Sequence, residues 1–537
     1  MRRILAVVLP RVRLELACAA EPSLLGARAG SGLVAIVVAR PGGAVKDERT
    51  LLGNTRLDEV SPEAHALGVR PGHTIAAARA RVSNLSVRVV HEGAVAAALA
   101  RLAEALLAFG ATTSLSVADD CVWVDVTGCA HLHAGAERDA ERDAERDAER
   151  GEEQLAHSLL SRVRALGHAC RIGVADGPRI AAQLAWYSRQ DVTRAPPGIE
   201  ASARAMSALP VSSLPLDGDT LRWLTSSGLR RVADVQALLE GSRAGLGLRL
   251  GPNSAEVMAL LNGDDRAPLT PYVPPEVPED TVDIEYGVTS TDALLFVAKR
   301  LSAMLAARLE GRGVGATRLE LVLRLDRALV AEGPPVRTVT IALPVPLTLE
   351  AELFAVLRAK LESFVVPAPV LGAALRAPEL APRGAQALDL FIPEARAERA
   401  LPRLVAELTA DLGEGTVGQL ALTNRWSPLE RTVLLPYGAK REKSPRLASL
   451  EGCAIEPTRI LSNKKPLASS PRVTITRRLE AVEWWKQGFT RTDYGHVWLD
   501  AASATAWVEI ARAPLAGAGA DTPAAGPQVV ALRGWVD

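Results

Sequence analysis

No CxxC pair occurs among the five cysteines (Cys18, Cys121, Cys129, Cys170, Cys453), which argues against a zinc ribbon and a disulfide framework and points to a reducing compartment. No apolar run reaches the roughly 18–20 residues that span a bilayer, and no basic, apolar leader opens the chain. Membrane insertion and secretion are therefore not expected, and a cytoplasmic protein is. Net charge is missing too: Lys plus Arg equals Asp plus Glu at 62 each, so any pull on nucleic acid must be local. The GxxxxGK[ST], GxSxG and HExxH patterns are all absent, which removes P-loop ATPases and two large hydrolase classes.

At 537 residues the chain exceeds what one hydrophobic core supports, and several domains are expected. Abundant Ala, Arg and Gly reflect a GC-rich coding bias and inflate helix propensity everywhere. The continuous apolar runs ILAVVLP (4–10) and GLVAIVVA (32–39) read as buried strands, as does CRIGVA (170–175). CVWVDVTG adds a strand in which residues 121, 123 and 125 share one face and 120, 122 and 124 the other. GAVAAALARLAEALLAFG (93–110), EEQLAHSLLSRVRALG and PRIAAQLAWYSR read as helices between them, so strands and helices alternate over the first 190 residues.

ALPVSSLPLDGDTLRWLTSSGLRRVADVQAL (208–238) predicts short helices broken at Gly218 and Gly228. A Pro-rich acidic linker follows. Beyond it the order helix, strand, strand, helix predicts a small α+β domain at 281–366. The tetrapeptide repeat ERDAERDAERDAER (137–150) has no apolar residue larger than Ala and cannot bury a face; a solvated helical extension or disordered insert is the expectation, a partner-binding arm the alternative. CAHLH (129–133) sets Cys and His at alternate positions, either as metal ligands or as an ordinary strand-end turn, and no second ligand pair stands out elsewhere.

In collinear order RRILAVVLP, GVRPGHTIAAAR, VWVDVTGCAHL, CRIGVADGP, LPVSSLPL, SGLRRVADVQAL and VEWWKQGFTRTDYGHVWL resemble a Y-family (UmuC/DinB-like) translesion DNA polymerase, and most closely its ImuB branch of bacterial mutagenesis proteins. The resemblance implies an α+β multi-domain fold: a right hand of palm, fingers, helical thumb and little finger, plus a C-terminal extension. The implied division is palm-like at 1–31 and 83–190 and fingers-like at 32–82. Thumb-like 191–265 carries a helix-hairpin-helix-like segment. A linker at 266–280, a little finger at 281–366, a tether at 367–398 and an interaction region at 399–537 complete it.

Active members need a carboxylate on the first strand and an Asp-Glu pair on the middle hairpin to clamp two magnesium ions. By resemblance those positions hold Val8 (followed by Leu9 and Pro10), Asp120 and Cys121, so one acid of three remains. Asp119 and Asp125 would lie on the opposite strand face from Asp120. The family's triphosphate-gripping Tyr and Arg align with Pro62 and His65, and its Asn-Lys pair with Gly177 and Pro178.

Nucleotidyl transfer is thus not expected, and no cofactor is, apart from a residual magnesium at Asp120; the rival reading is a weakly active polymerase using that residue. The resemblance further implies DNA contacts at Arg318, Arg324 and Arg327. QALDLF (386–391) resembles a sliding-clamp peptide in which Gln386, Leu388, Leu390 and Phe391 are the anchors. LDGD (216–219) replaces a Gly-x-Gly hairpin with aspartates that repel phosphate. Ten basic residues against three acidic ones between Lys440 and Arg478 make a local basic stretch, either phosphate-binding or solvated loop.

Implied partners are the sliding clamp (β subunit), a RecA-like ImuA-type protein, an error-prone replicative-type (C-family) polymerase and damaged primer-template DNA, with nucleoid association and no membrane. Trp484, Trp485, Tyr494 and Trp498 are expected to form a small β-rich core.

Overall fold

Every residue of ILAVV is buried in β1 (Ile4–Val8) because this strand is the centre of a sheet covered on both faces. The sheet runs β5 (Thr112–Ser116), β6 (Cys121–Asp125), β1, β7 (Arg171–Ala175) and β8 (Val192–Arg194). Leu5 and Val7 point with Val122 and Val124 into a core shared with α4 (Glu92–Ala105) and α5 (Ala144–Ala165). Ile4, Ala6 and Val8 point with Cys121 and Trp123 the other way, toward α6 (Pro178–Tyr187). A Cβ at Gly173 would overlap the carbonyl of Ala181, so glycine there lets α6 lie close on the sheet.

The computed structural model describes residues 2–21, 24, 32–132, 144–241, 249–250, 253–330, 333–362, 364–383, 396–413, 415–422, 429, 432–437, 457, 459–467, 472–479, 491–512 and 530–536. Residues 1–411 form one compact unit and 412–537 another.

A second sheet in the first unit has the order β3 (Glu59–Val60), β2 (Val34–Ala39), β4 (Ser86–His91), with β2 and β4 parallel. It packs with α2 (Pro62–Ala66) and α3 (Ile75–Arg79) around Ala35, Val37 and Ile75. The preceding helix α1 (Val12–Ala20) carries Val12, Ala17 and Cys18 into the first core. The expected boundary at residue 82 cuts β4 from its hydrogen-bonded partner, and the boundary at 190 leaves β8 outside its own sheet; pairing moves these limits past His91 and Arg194.

Helices α7 (Ile199–Ser207), α8 (Gly218–Ser226), α9 (Val232–Gly241) and α10 (Ser254–Leu261) close around Met206, Leu224, Val235 and Leu260. Next come β9 (Glu279–Val288), α11 (Thr291–Arg312), β10 (Val314–Leu325), β11 (Val336–Leu347), α12 (Glu350–Glu362) and β12 (Val370–Pro382), then α13 (Arg396–Leu412). Ser290 caps the start of α11, and Gly313 ends it at φ 67°.

The sheet order β11-β10-β12-β9 corrects the sequence reading twice. β9 begins inside the expected linker 266–280, and β12, expected as the start of a tether, is an interior strand bonded to both β10 and β9.

In the second unit β13 (Gly418–Leu422) pairs with β14 (Thr432–Pro436). A five-stranded antiparallel sheet has the order β15 (Arg459–Pro466), β19 (Val530–Val536), β18 (Ala504–Arg512), β17 (Arg491–Leu499), β16 (Thr474–Leu479). Tyr494 is buried and stacks on Trp507 with ring centroids 4.9 Å apart. Trp498 is 58% exposed, so it is not a core residue; Trp507 takes that place, while Trp484 and Trp485 lie outside the described residues. Among the described residues no helix is long and apolar enough to cross a membrane.

Candidate functional site

Val8 and Cys121 face each other across the β1–β6 ladder, and both side chains are wholly buried in the apolar layer beneath α6. Burial, with Asp119 and Asp120 adding to it, pushes the Cys121 thiol well above its ordinary pKa, so it stays protonated at neutral pH.

Asp120 is not a strand residue. It sits at φ 46° in the turn before β6, one of two non-glycine residues at positive φ among those described, and its carbonyl accepts a 2.9 Å bond from Leu9 N–H. The alternation that assigned Asp120 to a strand face therefore stops one residue short of it. Asp119 instead accepts from the Ser116 hydroxyl at 2.7 Å, and Asp125 accepts from Thr127 N–H at 3.0 Å and its hydroxyl at 2.6 Å, so both are spent on local turns.

What Asp120 meets is Arg13, in the first turn of α1, whose guanidinium donates to its Oδ2. Asp120 is 4% exposed. Burial raises its pKa, while the hydrogen bond and charge of Arg13 pull it down. Glu59 on β3 completes the cluster. Both of its carboxylate oxygens are buried, and burial lifts its pKa to about 7, with Arg13 and the Leu14 amide lowering it and Asp120 raising it.

Sequence reasoning missed Arg13 and Glu59. The one signal for Arg13 was a cation one helical turn beyond the position of Val8. A fixed guanidinium against the remaining carboxylate, with a valine and a protonated thiol beside it, does not suit a pair of magnesium ions, which want oxygen donors. Among the described residues no three His, Cys, Asp or Glu side chains are grouped to hold a metal.

The positions that the resemblance aligns with phosphate contacts are similarly occupied from within. Pro178 opens α6, and the amides of Arg179 and Ile180 donate to Asp265 at 2.6 and 3.1 Å. A Cβ at Gly177 would collide with Asp265, so this glycine makes room for the carboxylate. Asp217 accepts from the amides of Asp219 and Thr220 at 2.9 and 2.8 Å, and Asp234 from those of Arg230 and Arg231 at 2.9 and 2.8 Å. These bonds hold both carboxyls below the usual range. Pro62 begins α2 behind its Ser61 cap, and His65 stands exposed on that short helix.

Arg318 and Arg324 share the open face of the β11-β10-β12-β9 sheet, yet each is matched: Arg318 to Glu379 at 3.2 Å, Arg324 to Asp283 at 2.6 Å, beside an Arg376–Glu320 pair at 2.7 Å. Arg327 is exposed in the loop beyond β10. Gln386, Leu388, Leu390 and Phe391 lie outside the described residues, as do His133 and repeat residues 137–143; CAHL is a turn running into a 3-10 helix.

A buried ion cluster ties α4 to β9 and α11. Glu104, fully buried, accepts from Arg308 at 3.0 Å and Arg312 at 2.7 Å, and Asp280 stands 3.4 Å from Arg308 and 3.6 Å from Arg101. Gly311 allows α11 to touch the end of α4, where any Cβ would meet the carbonyl of Glu104.

The impB/mucB/samB family model matches residues 36–185, and the model of that family's C-terminal domain matches 279–390. Protein ImuB of Caulobacter vibrioides strain NA1000 / CB15N is 30% identical over 261 residues, covering 48% of this chain and 52% of the relative; the same protein from strain ATCC 19089 / CIP 103742 / CB 15 gives the same figures. The chain is thus similar to ImuB, and two of its segments match the impB/mucB/samB domain models.

The chain spans about half the length of the curated relatives it matches. The mixed α+β, Y-family-like fold with a C-terminal extension agrees with the sequence reading. The C-terminal domain match starts at β9 and runs past β12, so it contains the whole four-stranded sheet. Among solved structures, the insertion ternary complex of Dbh DNA polymerase is 12% identical with a TM-score of 0.37, covering 71% of this chain and 100% of that one. DinB from Sulfolobus solfataricus is 14% identical at 0.35, covering 70% and 98%.

Proposed function

We propose that the chain is a noncatalytic, polymerase-shaped scaffold of SOS-induced translesion synthesis. It binds the sliding clamp and primer-template DNA and brings an error-prone replicative-type polymerase to lesions, beside a RecA-like ImuA-type companion. The observation that carries the noncatalytic part is the Arg13–Asp120 pair: the one acid left of three is neutralised by a guanidinium, while Val8 and Cys121 are sealed in apolar core. Each lost charge-stabilising contact in a transferase costs several kcal/mol of barrier, and about 1.4 kcal/mol is tenfold in rate.

The matched arginines of the open sheet face and the self-capped helix starts both lower the expected DNA affinity, because DNA must displace internal carboxylates before its phosphates can be held. The clamp peptide QALDLF rests on sequence alone.

Primer extension with magnesium or manganese tests the first claim. No incorporation is expected, and incorporation abolished by Asp120→Ala would establish the weak-polymerase alternative instead. Clamp affinity tests the second: alanine at Gln386, Leu388, Leu390 and Phe391 should reduce it at least tenfold, and unchanged affinity removes the clamp from the proposal.

A further inference from the structure

Between α1, α4, the end of α5 and α11 lies a cavity of about 330 Å³. Its walls are mostly apolar, with Leu16, Leu102, Leu166 and Met304 the largest apolar side chains among several alanines. Its ionisable positions are Glu15, His168, Arg101, Arg300 and Arg308. The acid there is already spent, since Glu15 binds His168 Nδ1 at 2.8 Å and the amide of Ala169 at 2.8 Å.

The cations are not balanced in the same way. Arg101, Arg308 and Arg312 share two carboxylates, Glu104 and Asp280. Arg300, exposed on α11, adds a further cation with no acidic partner among the described residues. Arg101 registers the imbalance: burial lowers its pKa, and the nearby charges of Arg308 and Arg300 lower it further against the pull of Asp280. A half-buried guanidinium beside like charges gains more from an incoming anion than one in open water, because the local dielectric is lower.

We propose that this cavity binds a small organic anion, with one carboxylate, phosphate or sulfonate head set between Arg101 and Arg300 and an apolar body lying on Leu102, Leu166 and Met304. The volume is at the lower end of small-molecule sites, which run from about 300 to 1,000 Å³, and the lining is of the usual kind: mostly apolar, with a few convergent polar groups. The site is independent of the scaffold reading and shares no residue with the Arg13–Asp120 cluster.

The test uses 8-anilinonaphthalene-1-sulfonate, whose aromatic body and sulfonate match the two halves of the site, titrated into the full chain by fluorescence. One saturable site per chain is expected. Arg300→Glu, a change at an exposed position, should weaken it at least tenfold, Ala303→Trp should fill the cavity and abolish it, and Arg327→Glu on a distant loop should leave it unchanged. Equal affinity in wild type and Arg300→Glu overturns the proposal, as does the absence of saturable binding, or an equal loss in Arg327→Glu.

Discussion

Replacing Arg13 by alanine removes the cation from a carboxylate that solvent barely reaches: the Asp120 side chain is 6% exposed and that of Arg13 19%. Breaking a buried pair from one side costs about 3–5 kcal/mol, because the charge left behind is uncompensated. Water reaches Arg13 in part, so about 3 kcal/mol is expected at neutral pH. In the variant, burial and Asp119 both raise the Asp120 pKa and nothing opposes them. Its folded pKa then lies above its unfolded value, so the folded state takes up the proton first and stability rises as pH falls through the folded pKa.

The gap between wild type and Arg13→Ala, read from urea denaturation of the first transition, should therefore be wider at pH 8 than at pH 5. Adding Asp120→Asn should recover most of the loss, and the double-mutant cycle should return a coupling of more than about 1 kcal/mol. A gap of equal size at both pH values, or no coupling, would refute the idea that Arg13 acts as the counter-charge of this site.

Further outcomes are expected elsewhere. Glu59 has its pKa lifted to about 7 in the folded chain, so it costs stability as pH rises from its ordinary range through 7. Glu59→Gln should stabilise by about 1–2 kcal/mol at pH 8 and by almost nothing at pH 5, a discount on the full shift because the residue is only partly enclosed; destabilisation at pH 8 would contradict this. Asp265→Ala should cost about 1–2 kcal/mol through the lost cap on α6, measured by urea denaturation, and should leave Gly177→Ala disfavoured, because the Cβ that remains at residue 265 would lie 2.4 Å from the new one. Glu104→Gln leaves Arg308 and Arg312 facing a neutral amide and should cost about 3 kcal/mol, with faster hydrogen exchange along α11.

How much of this was legible in the sequence follows from the range of the forces involved. β1, β6 and β7 were readable because strands buried on both faces carry unbroken apolar runs. The helix-strand-strand-helix order of α11 to α12 was readable from amphipathic periods. β12 was not: its Gly, Ala and Pro content looks like linker, and what makes it a strand is pairing with β10 on one side and β9 on the other. The single acid, Asp120, could be counted from the resemblance, but its partner could not, because Arg13 and Asp120 are 107 residues apart in sequence. Nor does any local pattern announce that Asp120 turns left-handed, since aspartate tolerates that conformation without a marker beside it. Trp498 and Trp507 share one face of the sheet, since His496, two residues before Trp498, pairs with Trp507; Trp498 is exposed near the end of β17, while Trp507 lies mid-strand against Tyr494, a difference of position that composition does not announce.

The end of β12 sets a short leash. Pro382 closes the strand and Gln386 is the fourth residue beyond it, a span of at most about 14 Å even fully stretched. A ring gripped at that peptide would therefore hang beside the sheet, and the sheet is itself bolted to α4 through Glu104. Aim, in such an assembly, would come from the compact first unit, and little slack would be left for the cargo to wander.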